Sequence, residues 1–172
     1  MACPIKFKKM KSIKFLPVII LLFAFIGSCK KEEEIDKEKP SIDLTIEDSF
    51  PLSCDTLYFG EPYILKILFT DNKELGSFSI DIHNNFDHHS HSTEVTECSL
   101  DQIKSPVNPF TSIDDFDIPE GKTAYQTNLS ISIPSGNEIG DYDDGDYHFF
   151  INLTDKEGWS AQKGLSIKML HR

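Results

Sequence analysis

From Pro40 onward the chain is written in short runs where apolar and polar residues alternate, each closed by turn-forming residues. Ile42, Leu44 and Ile46 alternate, as do Phe78, Ile80 and Ile82. Leu129, Ile131 and Ile133, then Tyr147, Phe149, Ile151 and Leu153, and finally Leu165, Ile167 and Met169 repeat the pattern. A period of two places successive side chains on opposite faces of a strand, so each run buries one face and wets the other. Tyr63 to Thr70 is denser and predicts a more deeply buried strand. No segment carries a convincing helical period. The 13 Phe and 5 Tyr of the 172 residues suit a pleated, half-buried surface. The expectation is an all-β sandwich of about seven strands over residues 40–172.

Two turns echo one another. Thr70-Asp71-Asn-Lys-Glu-Leu-Gly76 and Thr154-Asp155-Lys-Glu-Gly158 each join one strand to the next. In an immunoglobulin-like (Greek-key) sandwich these would be the B–C and F–G loops, which share one end. Between Thr93 and Lys122 the alternation fails, with Pro106, Pro109 and Pro119 interrupting it. This stretch reads as a long excursion with one short edge strand near Val95.

The amino-terminal 39 residues obey a different logic. Lys6, Lys8, Lys9, Lys11 and Lys14 precede the apolar run Phe15 to Ile26, which is too short for a comfortable membrane span and reads as a secretory signal. It closes on Phe25-Ile-Gly-Ser-Cys29, which resembles the lipobox of bacterial lipoproteins. The resemblance implies cleavage after residue 28 and lipidation of Cys29, so that several acyl chains hold the protein in the membrane. Residues 29–39, rich in Lys and Glu, cannot bury enough apolar surface to fold and read as a tether. A lysine followed by acids after the lipidated cysteine resembles the surface-export signal of Bacteroidetes lipoproteins. That resemblance implies the cell-surface side of the outer membrane, the alternative being a spacer facing the periplasm.

Charge narrows the partners. The chain carries 17 Lys and Arg against 28 acids, a formal charge of −11. With the five leader lysines gone, 12 basic residues remain and the charge is −16. Such a surface repels nucleic acid and anionic lipid and attracts cations. A monomer or weak oligomer is expected. Beyond Cys29, Cys54 and Cys98 predict one disulfide in an oxidising compartment, with two separately buried thiols as the alternative.

The sharpest functional feature is Asp81-Ile-His83-Asn-Asn-Phe-Asp87-His88-His89-Ser-His91, which holds four of the six histidines. Phe78, Ile80 and Ile82 face inward, so Asp81 and His83 face outward; by the same parity His148 faces outward between Tyr147 and Phe149. If the two strands are antiparallel neighbours, His83 and His148 stand side by side, with the His88–His91 loop folding over them. Imidazoles with nearby carboxylates suit Zn²⁺, Cu²⁺ or Ni²⁺. The expected ligands are His83, His148 and one or two of His88, His89 and His91, with Asp81 or Asp87 as ligand or orienting group. A solvated loop or a protein contact is the alternative for these side chains. Calcium is the weaker reading, at Asp141-Tyr-Asp-Asp-Gly-Asp146 or at Asp114, Asp115 and Asp117. The whole pattern resembles the immunoglobulin-like and cadherin-like modules of Bacteroidetes surface lipoproteins, including an uncharacterised family with a His-Asn-x-Phe-Asp-x-His-x-His stretch. No serine elbow, phosphate-cradling glycine loop or spare cysteine nucleophile is present, so the reading is a non-enzymatic binding module. A structural or adhesive module that contacts a protein or glycan is the runner-up, and a metal-dependent hydrolase comes third.

Overall fold

Alternating side chains need a partner layer for their apolar face, and the chain supplies it with strands alone. The computed structural model describes residues 36–89 and 98–172. Among them lie twelve strands: β1 (Ser41–Asp43), β2 (Thr56–Tyr58), β3 (Pro62–Leu65), β4 (Leu68–Thr70), β5 (Leu75–Asn84), β6 (Ser112–Asp117), β7 (Ala124–Gln126), β8 (Leu129–Ser132), β9 (Gly136–Asn137), β10 (Gly140–Asp141), β11 (Gly145–Asp155) and β12 (Ser160–Leu170). The larger sheet has the order β2-β12-β11-β5-β6. All its pairs are antiparallel except β2, which runs parallel to β12. No helix among the described residues is long and apolar enough to cross a membrane. The signal segment and Cys29 lie outside the described residues.

The facing layer is built from β1-β4-β7 and from β3-β8. The sequence predicts one dense strand over Tyr63–Thr70, but the chain breaks it between β3 and β4. At the break Lys66 pairs with Phe50, exchanging backbone hydrogen bonds of 2.9 and 3.2 Å. Ile67 N–H is served by a side chain: Thr127 Oγ1 accepts it at 2.9 Å and donates to Leu65 O at 2.9 Å. Thr127 is fully buried, so this hydroxyl replaces the ladder that the break removes.

The two layers meet through Tyr63 against Phe149 and Phe69 against Phe78, with ring centroids 6.1 and 4.9 Å apart. Leu65, Ile67, Phe69, Phe149, Ile151 and Leu153 have no solvent exposure. Each such side chain contributes about 1.5–3 kcal/mol on burial.

The strand count exceeds the expected seven because short pieces such as β2 and the β9–β10 ribbon carry too few residues to display a period. Within the excursion the alternation does not announce edge strand β6, and the edge strand expected near Val95 lies outside the described residues. One compact unit spans Asp36–Arg172. Cys54 and Cys98 are joined by a disulfide, and Cys54 N–H donates to Ser166 O at 2.7 Å, fastening the bridge to β12.

Candidate metal centre

Strands β5 and β11 lie side by side at the middle of the larger sheet, and their register sets the site. Ile82 faces Phe149, Asp81 faces Phe150, and His83 faces His148. Because Ile82 and Phe149 point into the core, His83 and His148 project together from the opposite face, their centroids 5.4 Å apart. Phe150 projects from the same face and is nearly buried; His83 stacks on it at 5.6 Å and 17°. The two imidazoles therefore rest on an aromatic floor.

The chain then doubles back. Phe86 buries itself against Tyr147 edge-to-face at 5.3 Å, and Asn85 N–H donates to Asp146 O at 2.8 Å. His88 N–H donates to Asn85 O at 3.2 Å while His88 adopts a φ of +59°, the left-handed turn that reverses the backbone. His89 is carried over β11, where its carbonyl accepts His148 Nε2–H at 3.1 Å. The roof explains why His148, outward-facing by parity, has no solvent exposure.

His83, His89 and His148 each offer a ring nitrogen, and these three atoms lie within 4.8 Å of one another. The supporting hydrogen bonds settle which nitrogen a metal would take. His83 Nδ1–H donates to Asp81 Oδ1 at 2.9 Å and His89 Nδ1–H to Asp87 Oδ1 at 2.6 Å, which makes Nε2 of each ring the nitrogen suited to a metal. His148 donates through Nε2, so its Nδ1 is the donor atom. A carboxylate behind an imidazole is the usual companion of a histidine metal ligand. The His89 ring beside Asp87 holds that carboxyl below its ordinary pKa. Ligand atoms about 2.0 Å from a tetrahedral ion stand about 3.3 Å apart, so the triad would need to close by up to about 1.5 Å. His89, exposed at the rim, has room to do so.

The expected site residues thus divide. His83, His89 and His148 converge, and Asp81 and Asp87 stand behind two of them. His88 does not join: its Nε2 lies 3.7 Å from Asp146 Oδ2. The left-handed turn that aims His89 inward sends its neighbour elsewhere. His91 lies outside the described residues.

The acidic run proposed for calcium is used otherwise. Asp143 Oδ2 accepts the amides of Val107 and Asn108 at 2.7 and 2.8 Å, Asp144 Oδ1 accepts from His171 at 2.7 Å, and Asp146 accepts from Lys168 and from Asp101 N–H. These carboxylates pin the segment after Cys98 and the carboxyl end. Asp114, Asp115 and Asp117 sit exposed along edge strand β6. A different acidic group, Asp36, Asp71, Asp155 and Glu157, does converge. Its one signal in the sequence is the echo between the Asp71 and Asp155 turns, which served there only to place strands.

Fold and site together define an all-β sandwich domain carrying three imidazoles on the outer face of its larger sheet. The chain belongs to the family described as Domain of unknown function (DUF4625), which matches residues 27–170. No curated protein and no solved structure matches it.

Proposed function

We propose that this chain is a lipid-anchored binding module of the cell envelope, immunoglobulin-like in its strand connections, that holds a divalent transition metal through His83, His89 and His148. The observation that carries the reading is the convergence of three ring nitrogens within 4.8 Å, from two paired strands and the loop that follows one of them. Three imidazoles on a low-dielectric floor, two of them backed by carboxylates, suit Zn²⁺ or Cu²⁺. The Cys54–Cys98 disulfide fits an oxidising compartment, and the lipobox-like Phe25-Ile-Gly-Ser-Cys29 supplies the anchor. The surface side of the outer membrane is the preferred address.

Chelator-treated protein should gain thermal stability on addition of Zn²⁺ or Cu²⁺, because an ion held by the native state alone raises Tm by mass action. His83→Ala should remove that gain. An unchanged gain in His83→Ala rejects the site, and no gain in the wild type favours the runner-up, contact with a protein or glycan without metal.

A further inference from the structure

We infer that Asp36, Asp71, Asp155 and Glu157 form a calcium site, separate from the imidazole triad, that fastens the amino-terminal entry of the domain to two strand-connecting turns. One carboxylate oxygen from each lies within 4.8 Å of the others.

The three aspartates are built alike. Each gives one oxygen to a local hydrogen bond that fixes its orientation. Asp36 Oδ1 accepts Glu38 N–H at 3.0 Å and Asn72 Nδ2 at 2.9 Å. Asp71 Oδ2 accepts Lys73 N–H at 2.9 Å, and Asp155 Oδ1 accepts Trp159 N–H at 2.7 Å. The second oxygen of each, Asp36 Oδ2, Asp71 Oδ1 and Asp155 Oδ2, is buried and has no hydrogen-bond partner. Asp36 and Asp155 are each only 4% exposed. Buried carboxylate oxygens without a donor are costly, and three in one place call for a common cation. Lys73, with Nζ 4.0 Å from Glu157 Oε1, brings a positive charge to the rim of the four carboxylates.

The fold forces these groups together. Gly76 lets β5 start hard against the end of β11, since a Cβ there would lie 2.8 Å from Thr154 O. Lys156 N–H then donates to Glu74 O at 3.0 Å, tying the Asp71 turn to the Asp155 turn. Asp36 arrives from the chain's entry, where its own carbonyl accepts Trp159 Nε1–H at 3.1 Å.

The donor set selects the ion. Oxygen donors alone, from three chain segments and without an imidazole or thiolate, suit Ca²⁺, which takes 6–8 oxygens in flexible geometry. Mg²⁺ demands stricter octahedral spacing and keeps its water. The imidazole triad is at the other end of β5: His83 is eight residues from Leu75, about 26 Å along the strand. The two sites should bind independently.

Trp159 is the chain's single tryptophan and touches the site, so Tb³⁺ standing in for Ca²⁺ should luminesce when the indole is excited. The full chain, chelator-treated, should show Tb³⁺ emission that Ca²⁺ displaces and that His83→Ala leaves intact, and its Tm should rise with Ca²⁺. In Asp71→Asn/Asp155→Asn the emission and the Ca²⁺-induced rise should be lost. The same variant should melt higher than wild type in chelator, because like charges are removed while the local acceptor oxygens remain. That reversal of order between chelator and Ca²⁺ is not produced by a merely structural role. Should the double variant fail to fold, Glu157→Gln at the exposed rim should weaken Ca²⁺ by about tenfold or more. Absence of Tb³⁺ emission in the wild type, an unchanged Ca²⁺ shift in the double variant, or unchanged affinity in Glu157→Gln would each overturn the assignment.

Discussion

Replacing Asp81 by alanine separates a metal centre from a hydrogen-bonded cluster of rings. Asp81 Oδ1 accepts the Nδ1–H of His83 at 2.9 Å, which holds the ring in one tautomer and leaves Nε2 as the nitrogen suited to a metal. Without that acceptor the ring populates both tautomers and swings more widely on Phe150. Loss of such a carboxylate typically weakens a metal by about 10–100-fold, or about 1.4–2.7 kcal/mol. The metal-free protein should lose much less, because Asp81 is one-third exposed and water can take over its hydrogen bond. The assay is thermal melting with and without excess Zn²⁺. Each tenfold loss of affinity removes about 1.4 kcal/mol of zinc-induced stabilisation. For a folded unit of this size 1 kcal/mol shifts Tm by about 3–5 °C, so the zinc-induced rise should shrink by about 4–13 °C. Asp87→Ala makes the comparison internal: Asp87 is 72% exposed, so its loss should fall at the small end of that range. An Asp81→Ala protein whose zinc-induced rise equals the wild-type rise would refute the orienting role.

Two further outcomes test the fold around the site. Thr127→Val keeps the shape of the side chain but leaves the buried Ile67 N–H without an acceptor, which should cost about 2–3 kcal/mol and lower Tm by about 6–15 °C; melting within about 2 °C of wild type would contradict this. His171 donates to Ser135 O at 2.9 Å and to Asp144 Oδ1 at 2.7 Å, and first the Ser135 carbonyl, then the Asp144 carboxylate, lift its pKa above the usual 6.5. A raised folded-state pKa means that the stabilisation is fully present below pH 6.5 and fades as pH rises through the folded value. The difference in Tm between wild type and His171→Gln should therefore be widest in acid and narrow in alkali, and a gap that ignores pH would show that His171 acts by packing on Phe59 alone.

The parts of the fold that were legible in the sequence are the long strands whose inward residues are consistently apolar. Strands β5 and β12 announce themselves because they are long enough, at ten and eleven residues, to hold three inward apolar side chains in alternation: Phe78, Ile80 and Ile82, and Leu165, Ile167 and Met169. Strand β2 has three residues and one buried side chain, Leu57, too little for any period. Strand β6 was hidden by its position: at the sheet edge its acids and Ile113 face solvent, and only Phe116 packs, stacked on Phe78 at 4.8 Å. Such charges on an edge discourage pairing with another chain, which also makes the strand read as loop. The pairing of His83 with His148 was foreseeable from parity and strand order. The separation of His88 from His89 was not, since it depends on a left-handed turn at an ordinary residue. Nor was Asp36, whose burial comes from Asn72 and Trp159, distant in sequence, while its neighbours Lys37, Glu38 and Lys39 read as solvated tether.

The register of β5 on β11 carries one more consequence. Opposed histidines occupy the same rung of the ladder, so an ion gripping both rings would act as a clasp between the two central strands. Sliding one strand by a single residue would turn His83 into the oil and bring an isoleucine to the rim, breaking the grip at once. Occupancy and strand alignment would then report on each other, and an ion in place would be a gauge that the middle of the sheet has zipped correctly.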